Sequence, residues 1–402
     1  MPRTFFSSAD LVLPDRLLSG HTLVIEGDRV VEYTSGPRSV GHAERRIDRP
    51  GHLIVPGFID VHVHGVAGDD VLDGDGAVAR IAAALPRWGV TAFCPTTMAS
   101  TPVALGAALA EVRRLRSAPR AGARVLPAHL ESNFVNPEYR GAQPLACLRR
   151  PPASAATAGP SSSDFTGRDV LEVIDHARPD VGIITMAPEL EHGLALVRAL
   201  VAGGVRVSLG HSGATYEETQ AAIAAGARHA THLFNRMRPM THRDPGLTGA
   251  ILASDEIAAE LICDGHHVHP AVMNVAIAAK GPSRVMAITD GTAGSGLPQG
   301  SRARLGGASI TVRDVARLDD DTIAGSVLTM DRAFATLVTQ CGLDIVQATE
   351  MCSTTPAREL GLTGHGAIAP GAVADFVILD ARLTVVETWI AGERAWPEPS
   401  AR

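Results

Sequence analysis

The chain has 402 residues, of which 45% are hydrophobic and 20% charged, with a formal net charge of −7. That length exceeds one ordinary domain and fits a barrel of about 250 residues with a satellite. An acidic balance without a Lys/Arg block argues against nucleic acid as a partner, and no apolar run reaches the ~18 residues of a membrane span. Five widely spaced cysteines suit reduced structural thiols better than a disulfide framework. The N-terminus lacks the unbroken apolar stretch of a signal peptide, so a cytoplasmic location is expected.

Short β-like segments come first, Leu11 to Leu13, Leu23 to Ile25 and Arg29 to Tyr33, broken by Gly20, Gly27 and Asp28. Eight apolar runs follow, at 53–64, 90–97, 125–131, 181–189, 205–211, 229–235, 259–264 and 285–290, and nearly all close on polar or ionisable groups. Between them lie Ala-rich stretches with helical spacing, such as 77–88, 102–117, 193–203 and 216–226. The alternation predicts an α/β chain built on a (β/α)8 barrel, whose catalytic groups sit at the C-terminal ends of the strands. Residues 149–167, rich in Pro, Ala and Ser, predict a mobile loop after the third strand. Past the eighth run, 301–325 reads as an inserted hairpin with 308–312 as a strand, and 326–340 as a helix capped by Ser326. The β texture returns at 375–380 and 383–392. The expected domains are therefore a small β-sandwich from residues 1–53 and 357–402, and a catalytic barrel over 54–356.

Chemistry enters with His62 and His64, whose alternation along a strand turns both side chains to one face, as a chelating pair needs. Glu131, His211 and His232 each close a later run. A lone histidine beside an apolar run is usually structural, and the chain has 16 of them. Imidazoles and a carboxylate at several strand ends instead form a set that holds zinc or iron(II), with positions left open for solvent. An open doubly wound sheet would not explain ligands spread over strands one, three, five and six. Asp290 ends the eighth run, where a carboxylate can take a proton from the attacking water and return it to a leaving nitrogen.

The segments Pro56-Gly-Phe-Ile-Asp-Val-His-Val-His-Gly65, His129-Leu-Glu131, Gly210-His-Ser-Gly-Ala-Thr215, Thr231-His-Leu-Phe-Asn-Arg-Met237, Asp244-Pro-Gly-Leu247, Asp264-Gly-His-His-Val268 and Ile288-Thr-Asp-Gly291 extend the pattern. With them the chain resembles, over nearly its whole length, the N-acetylglucosamine-6-phosphate deacetylases of the amidohydrolase superfamily. The resemblance implies that Glu131, His211 and His232 form a main metal site and that His62 and His64 can complete a second. One or two divalent ions are implied, zinc first, with iron, manganese or cobalt as alternatives. It further implies that Asn235, Arg243 and His267 contact a sugar phosphate, and that the chain forms a homodimer. Two departures follow Glu131: the family's Gly-Pro-Phe reads Ser132-Asn133-Phe134, and the His that ends the loop is Gln143. Gln143 can donate a hydrogen bond to the acyl carbonyl but cannot carry a proton, and Ser132 and Asn133 add polar groups expected close to the metal. The implied reaction is hydrolysis of N-acetylglucosamine 6-phosphate to glucosamine 6-phosphate and acetate. Rival readings are another N-acyl amino sugar, a different amidohydrolase reaction such as cyclic amide opening or deamination, and an inert sugar-phosphate binder.

Overall fold

The computed structural model describes residues 3–36, 44–153 and 164–397. Eight parallel strands, Phe58–Val63, Val90–Thr97, Ala128–Glu131, Val181–Met186, Arg206–Leu209, His229–Ala230, Ala258–Ile262 and Val285–Ile288, follow one another around a barrel in chain order. The eighth closes on the first just beyond its end, where Asp290 N donates to His62 O at 2.9 Å and Val63 pairs with Gly291. The (β/α)8 barrel expected from the sequence is thus present. Its helices include Pro102–Arg116, begun by Thr101 Oγ1 accepting from Ala104 N, and Tyr216–Ala224, begun by a Thr215/Glu218 capping box.

The run 53–64 divides at Gly57. Leu53–Pro56 pairs with the chain-end sheet, and Phe58–Val63 opens the barrel. A Cβ on Gly57 would lie 2.2 Å from Thr91 Oγ1, so only glycine lets the chain pass between the two. The chain-end sheet has eight strands, five from the N-terminal part and Phe376–Leu379, Val385–Ile390 and Glu393–Trp396 from the other end. Phe6 and Trp389 lie three strands apart in it, which in a flat sheet means about 14 Å. Their rings are 4.9 Å apart, so the sheet folds over onto its own core, with Phe376 between them.

Residues 302–317 form a three-stranded sheet rather than a simple hairpin. Ser326 does not cap a helix. Its Oγ donates to Thr289 O at 2.6 Å and accepts from Leu328 N at 2.9 Å, tying the segment to the eighth strand, and the helix begins four residues later, Met330–Thr339. Most of the expected loop at 149–167 lies outside the described residues. Its two ends are joined, because Arg149 Nε donates to Phe165 O at 2.8 Å. All five cysteines are free thiols. Among the described residues no helix is long and apolar enough to cross a membrane.

Candidate metal centre

The site is built at the C-terminal end of the barrel. His62 lies on strand one and His64 just past it, Glu131 is the last residue of strand three, and His211, His232 and Asp290 each stand two residues past the ends of strands five, six and eight. Those last three have positive φ, 49°, 30° and 48°. Non-glycine residues held there cost free energy, on the order of 1–3 kcal/mol each, which the surrounding barrel must supply. All six are buried, yet all but His62 also line one cavity of about 650 Å³.

Two groups of ligand atoms share Glu131. His211 Nε2 and His232 Nε2 each lie 2.8 Å from Glu131 Oε1 and 3.0 Å from one another. His62 Nε2 and His64 Nε2 are 3.2 Å apart and each 3.3 Å from Asp290 Oδ1, while His64 Nε2 is 3.4 Å from Glu131 Oε2. A tetrahedral zinc with bonds of 2.0–2.1 Å separates its ligand atoms by about 3.3 Å. The second group matches that spacing, and the first would have to open by a few tenths of an ångström. Nitrogen lone pairs converging on carboxylate oxygens are chemically suited to a dication. Residues His62, His64, Glu131, His211 and His232, brought together as expected from the sequence, therefore fit a one- or two-ion centre with Glu131 between the two positions.

The charges act in the same sense. Burial alone would push the Glu131 carboxyl up, but His211, His232 and His64 outweigh it and hold the group well below its usual range. Asp290 behaves likewise, with burial opposed by His62 and His64 and the balance downward. His64 and His232 face the converse: burial lowers them, but hydrogen bonds and charge from Asp290 and Glu131 at His64, and from Glu131 at His232, raise them to about 10 and about 9. The cluster thus draws positive charge, as protons or as metal.

Gln143 lies against this centre. Its Nε2 donates to Glu131 Oε2 and its Oε1 accepts from Ala99 N at 2.8 Å. Ser132 and Asn133, expected to add polar groups near the metal, turn away instead. Ser132 Oγ donates to Thr185 O at 2.6 Å, and Asn133 Nδ2 donates to Ser100 O at 2.8 Å and Cys147 O at 2.7 Å, so both satisfy buried backbone. Of the three residues assigned to the phosphate, Asn235 and His267 line the cavity, with His267 Nδ1 held 2.6 Å from Asp264 Oδ2. Arg243 is exposed and does not line it, whereas Arg236 does.

Several contributors carry no motif. Tyr139 offers its carbonyl to His211 Nδ1 at 2.8 Å, and Glu189 accepts from Ser212 Oγ at 2.7 Å and Gly213 N at 2.6 Å, fixing the turn that presents His211. Glu260 meets His62 from below. The acidic ending of the run 181–189 was the available signal for Glu189; neither Tyr139 nor Glu260 stands out in the sequence.

Residues 53–395 match the amidohydrolase family model. The chain belongs to the N-acetylglucosamine-6-phosphate deacetylase family of the amidohydrolases. It is 36% identical over 369 residues to the N-acetylglucosamine-6-phosphate deacetylase of Danio rerio, covering 89% of this chain and 87% of that protein. It is also 35% identical over 351 residues to an N-acetylgalactosamine-6-phosphate deacetylase of Escherichia coli O157:H7, covering 87% of this chain and 89% of that one. Among solved structures, a variant N-acetyl-D-glucosamine-6-phosphate deacetylase of Mycobacterium smegmatis in complex with N-acetyl-D-glucosamine-6-phosphate superposes with a TM-score of 0.87. It is 33% identical, and the match covers 98% of this chain and all of that one.

Proposed function

We propose that this chain hydrolyses the N-acetyl amide of an amino sugar 6-phosphate, converting N-acetylglucosamine 6-phosphate to glucosamine 6-phosphate and acetate. The observation that carries the reading is a single cavity in which the Glu131, His211 and His232 cluster, Asp290 and Gln143 face His267 and Asn235. A bound divalent ion, zinc by preference for this N/O set, would polarise the acyl carbonyl and lower the pKa of water to about 7.

The residues divide the remaining work. Asp290, ionised at neutral pH, takes a proton from the attacking water at a carboxylate oxygen and returns it to the departing amine, which would otherwise be a poor leaving group. Gln143 Nε2 donates toward the acyl oxygen as negative charge develops there. His267, its Nδ1 engaged by Asp264, lines the cavity, and together with Asn235 and the neighbouring Arg236 it suits a phosphate. Fixing the phosphate turns remote binding energy into orientation of the amide.

Arg243 is exposed and does not line the cavity, so the arginine available to the phosphate in one copy of the chain is Arg236. Epimer choice is the finer question, since relatives named for both the gluco and galacto sugars are similarly close. The test is acetate release by metal-reconstituted protein from N-acetylglucosamine 6-phosphate, beside the unphosphorylated sugar and the galactosamine epimer. A rate that needs both metal and phosphate is expected; metal-loaded protein with no turnover on any of the three would sink the assignment.

A further inference from the structure

Glu260 lies on the seventh barrel strand, fully buried in the barrel interior. Its Oε2 stands 2.9 Å from His62 Nδ1. His62 thus uses both ring nitrogens: Nε2 faces the group made with His64 and Asp290, and Nδ1 faces Glu260. An imidazole that gives a lone pair through Nε2 must carry its proton on Nδ1, and an acceptor at Nδ1 fixes that tautomer and the ring plane.

The four ligand histidines differ in this respect. His211 Nδ1 meets a neutral carbonyl, that of Tyr139, and His64 Nδ1 and His232 Nδ1 are buried with no hydrogen-bond partner among the described residues. Only His62 has a carboxylate there. The nearby His129 does not compete for Glu260. Its Nδ1 is 3.0 Å from Val61 O but 3.7 Å from Glu260 Oε1, its Nε2 is 2.7 Å from Thr185 Oγ1, and Glu260 Oε1 has no hydrogen-bond partner among the described residues. The ion pairs of Glu260 among the described residues are with these two imidazoles, not with Lys or Arg. A buried carboxylate without a permanent cation is unfavourable unless positive charge arrives through the histidine it holds.

We infer that Glu260 is a positioning residue: by holding His62 through Nδ1 it aims Nε2 at the His64/Asp290 group and strengthens His62 as a ligand for a cation there. This rests on the metal-dependent reading of the site, but not on the identity of the substrate. The carboxyl of Glu260 meets His232 only at its backbone N–H, and among the described residues it makes no ion pair with the side chains of Glu131, His211 or His232, so that position is expected to load without it.

Metal counting on zinc-reconstituted full-length protein tests it. Wild type is expected to bind two zinc ions per chain. Glu260→Leu should retain the first at unchanged affinity and bind the second 10- to 100-fold more weakly, the usual scale for losing a carboxylate behind a histidine ligand. Glu260→Gln keeps a neutral acceptor for Nδ1 and should lie between the two. In a His62→Leu background, Glu260→Gln should change zinc binding no further. A wild type that binds one ion at saturating zinc, or a Glu260→Gln variant with an unchanged second affinity, overturns the inference, and the Gln variant still decides between the outcomes should Glu260→Leu fail to fold. Because the readout is stoichiometry, a wrong substrate assignment would leave the result intact.

Discussion

Replacing Gln143 by Leu removes an amide while nearly keeping its volume, at the position where the sequence departs from its family. Two losses follow from the geometry. The buried Ala99 N–H loses its acceptor at 2.8 Å, and Glu131 Oε2 loses a donor while Oε1 keeps both histidines. An orphaned buried donor costs about 1–3 kcal/mol, so the variant should unfold at a lower temperature but remain folded at 25 °C. The catalytic loss is separate. If Nε2 also serves the acyl oxygen in the transition state, its removal costs roughly 2.7–4 kcal/mol, a fall of about 10²–10³ in kcat with KM little changed. The assay is steady-state acetate release with metal content measured on the same preparation. A Leu variant with a full metal complement and kcat within about threefold of wild type would refute the donor role and leave Gln143 as a brace for Glu131.

Asp290→Asn should lower kcat by about 10²–10⁴, the range of a lost acid–base group, while zinc at the Glu131/His211/His232 position remains countable. Metal removal should be reversible and pH-dependent. His64 and His232, raised to about 10 and about 9, hold protons across neutral pH that an incoming ion must displace. Zinc binding to the stripped protein should therefore release protons and tighten as pH rises from 6 to 8, as titration calorimetry in buffers of different ionisation enthalpy would read. The same raised values stabilise the stripped fold fully below the ordinary histidine pKa and progressively less as pH climbs toward 9 to 10. Lys280 supplies a prediction away from the site. Its Nζ donates to Ile251 O at 3.0 Å, Ile257 O at 2.6 Å and Ser254 O, closing the helix Gly246–Ala253. Lys280→Met should cost on the order of 2–4 kcal/mol in denaturant unfolding with little change in kcat.

The sequence by itself determined the barrel and the kinds and order of its candidate ligands. Each apolar run that becomes a strand carries its reactive residue at its end, and strand ends in a barrel converge on one face, so chain order alone announced His62, His64, Glu131, His211, His232 and Asp290. The helical stretches 102–117 and 216–226 were legible as well, since their spacing is local, and they form as Pro102–Arg116 and Tyr216–Ala224. Ser326 read like a helix cap and is not one, because a long-range hydrogen bond to Thr289 O claimed its hydroxyl. Ser132 and Asn133 likewise looked like metal-side groups until folding set buried carbonyls beside them. Only the tertiary structure decided that Glu131 stands between two ligand groups, that Gln143 lies against it, and that Arg243 faces solvent. Glu260 is the clearest case. In sequence it is one charge inside an apolar run, and closure of the barrel sets side chains of alternate strands in a common layer, bringing strand seven to strand one across 198 positions of chain.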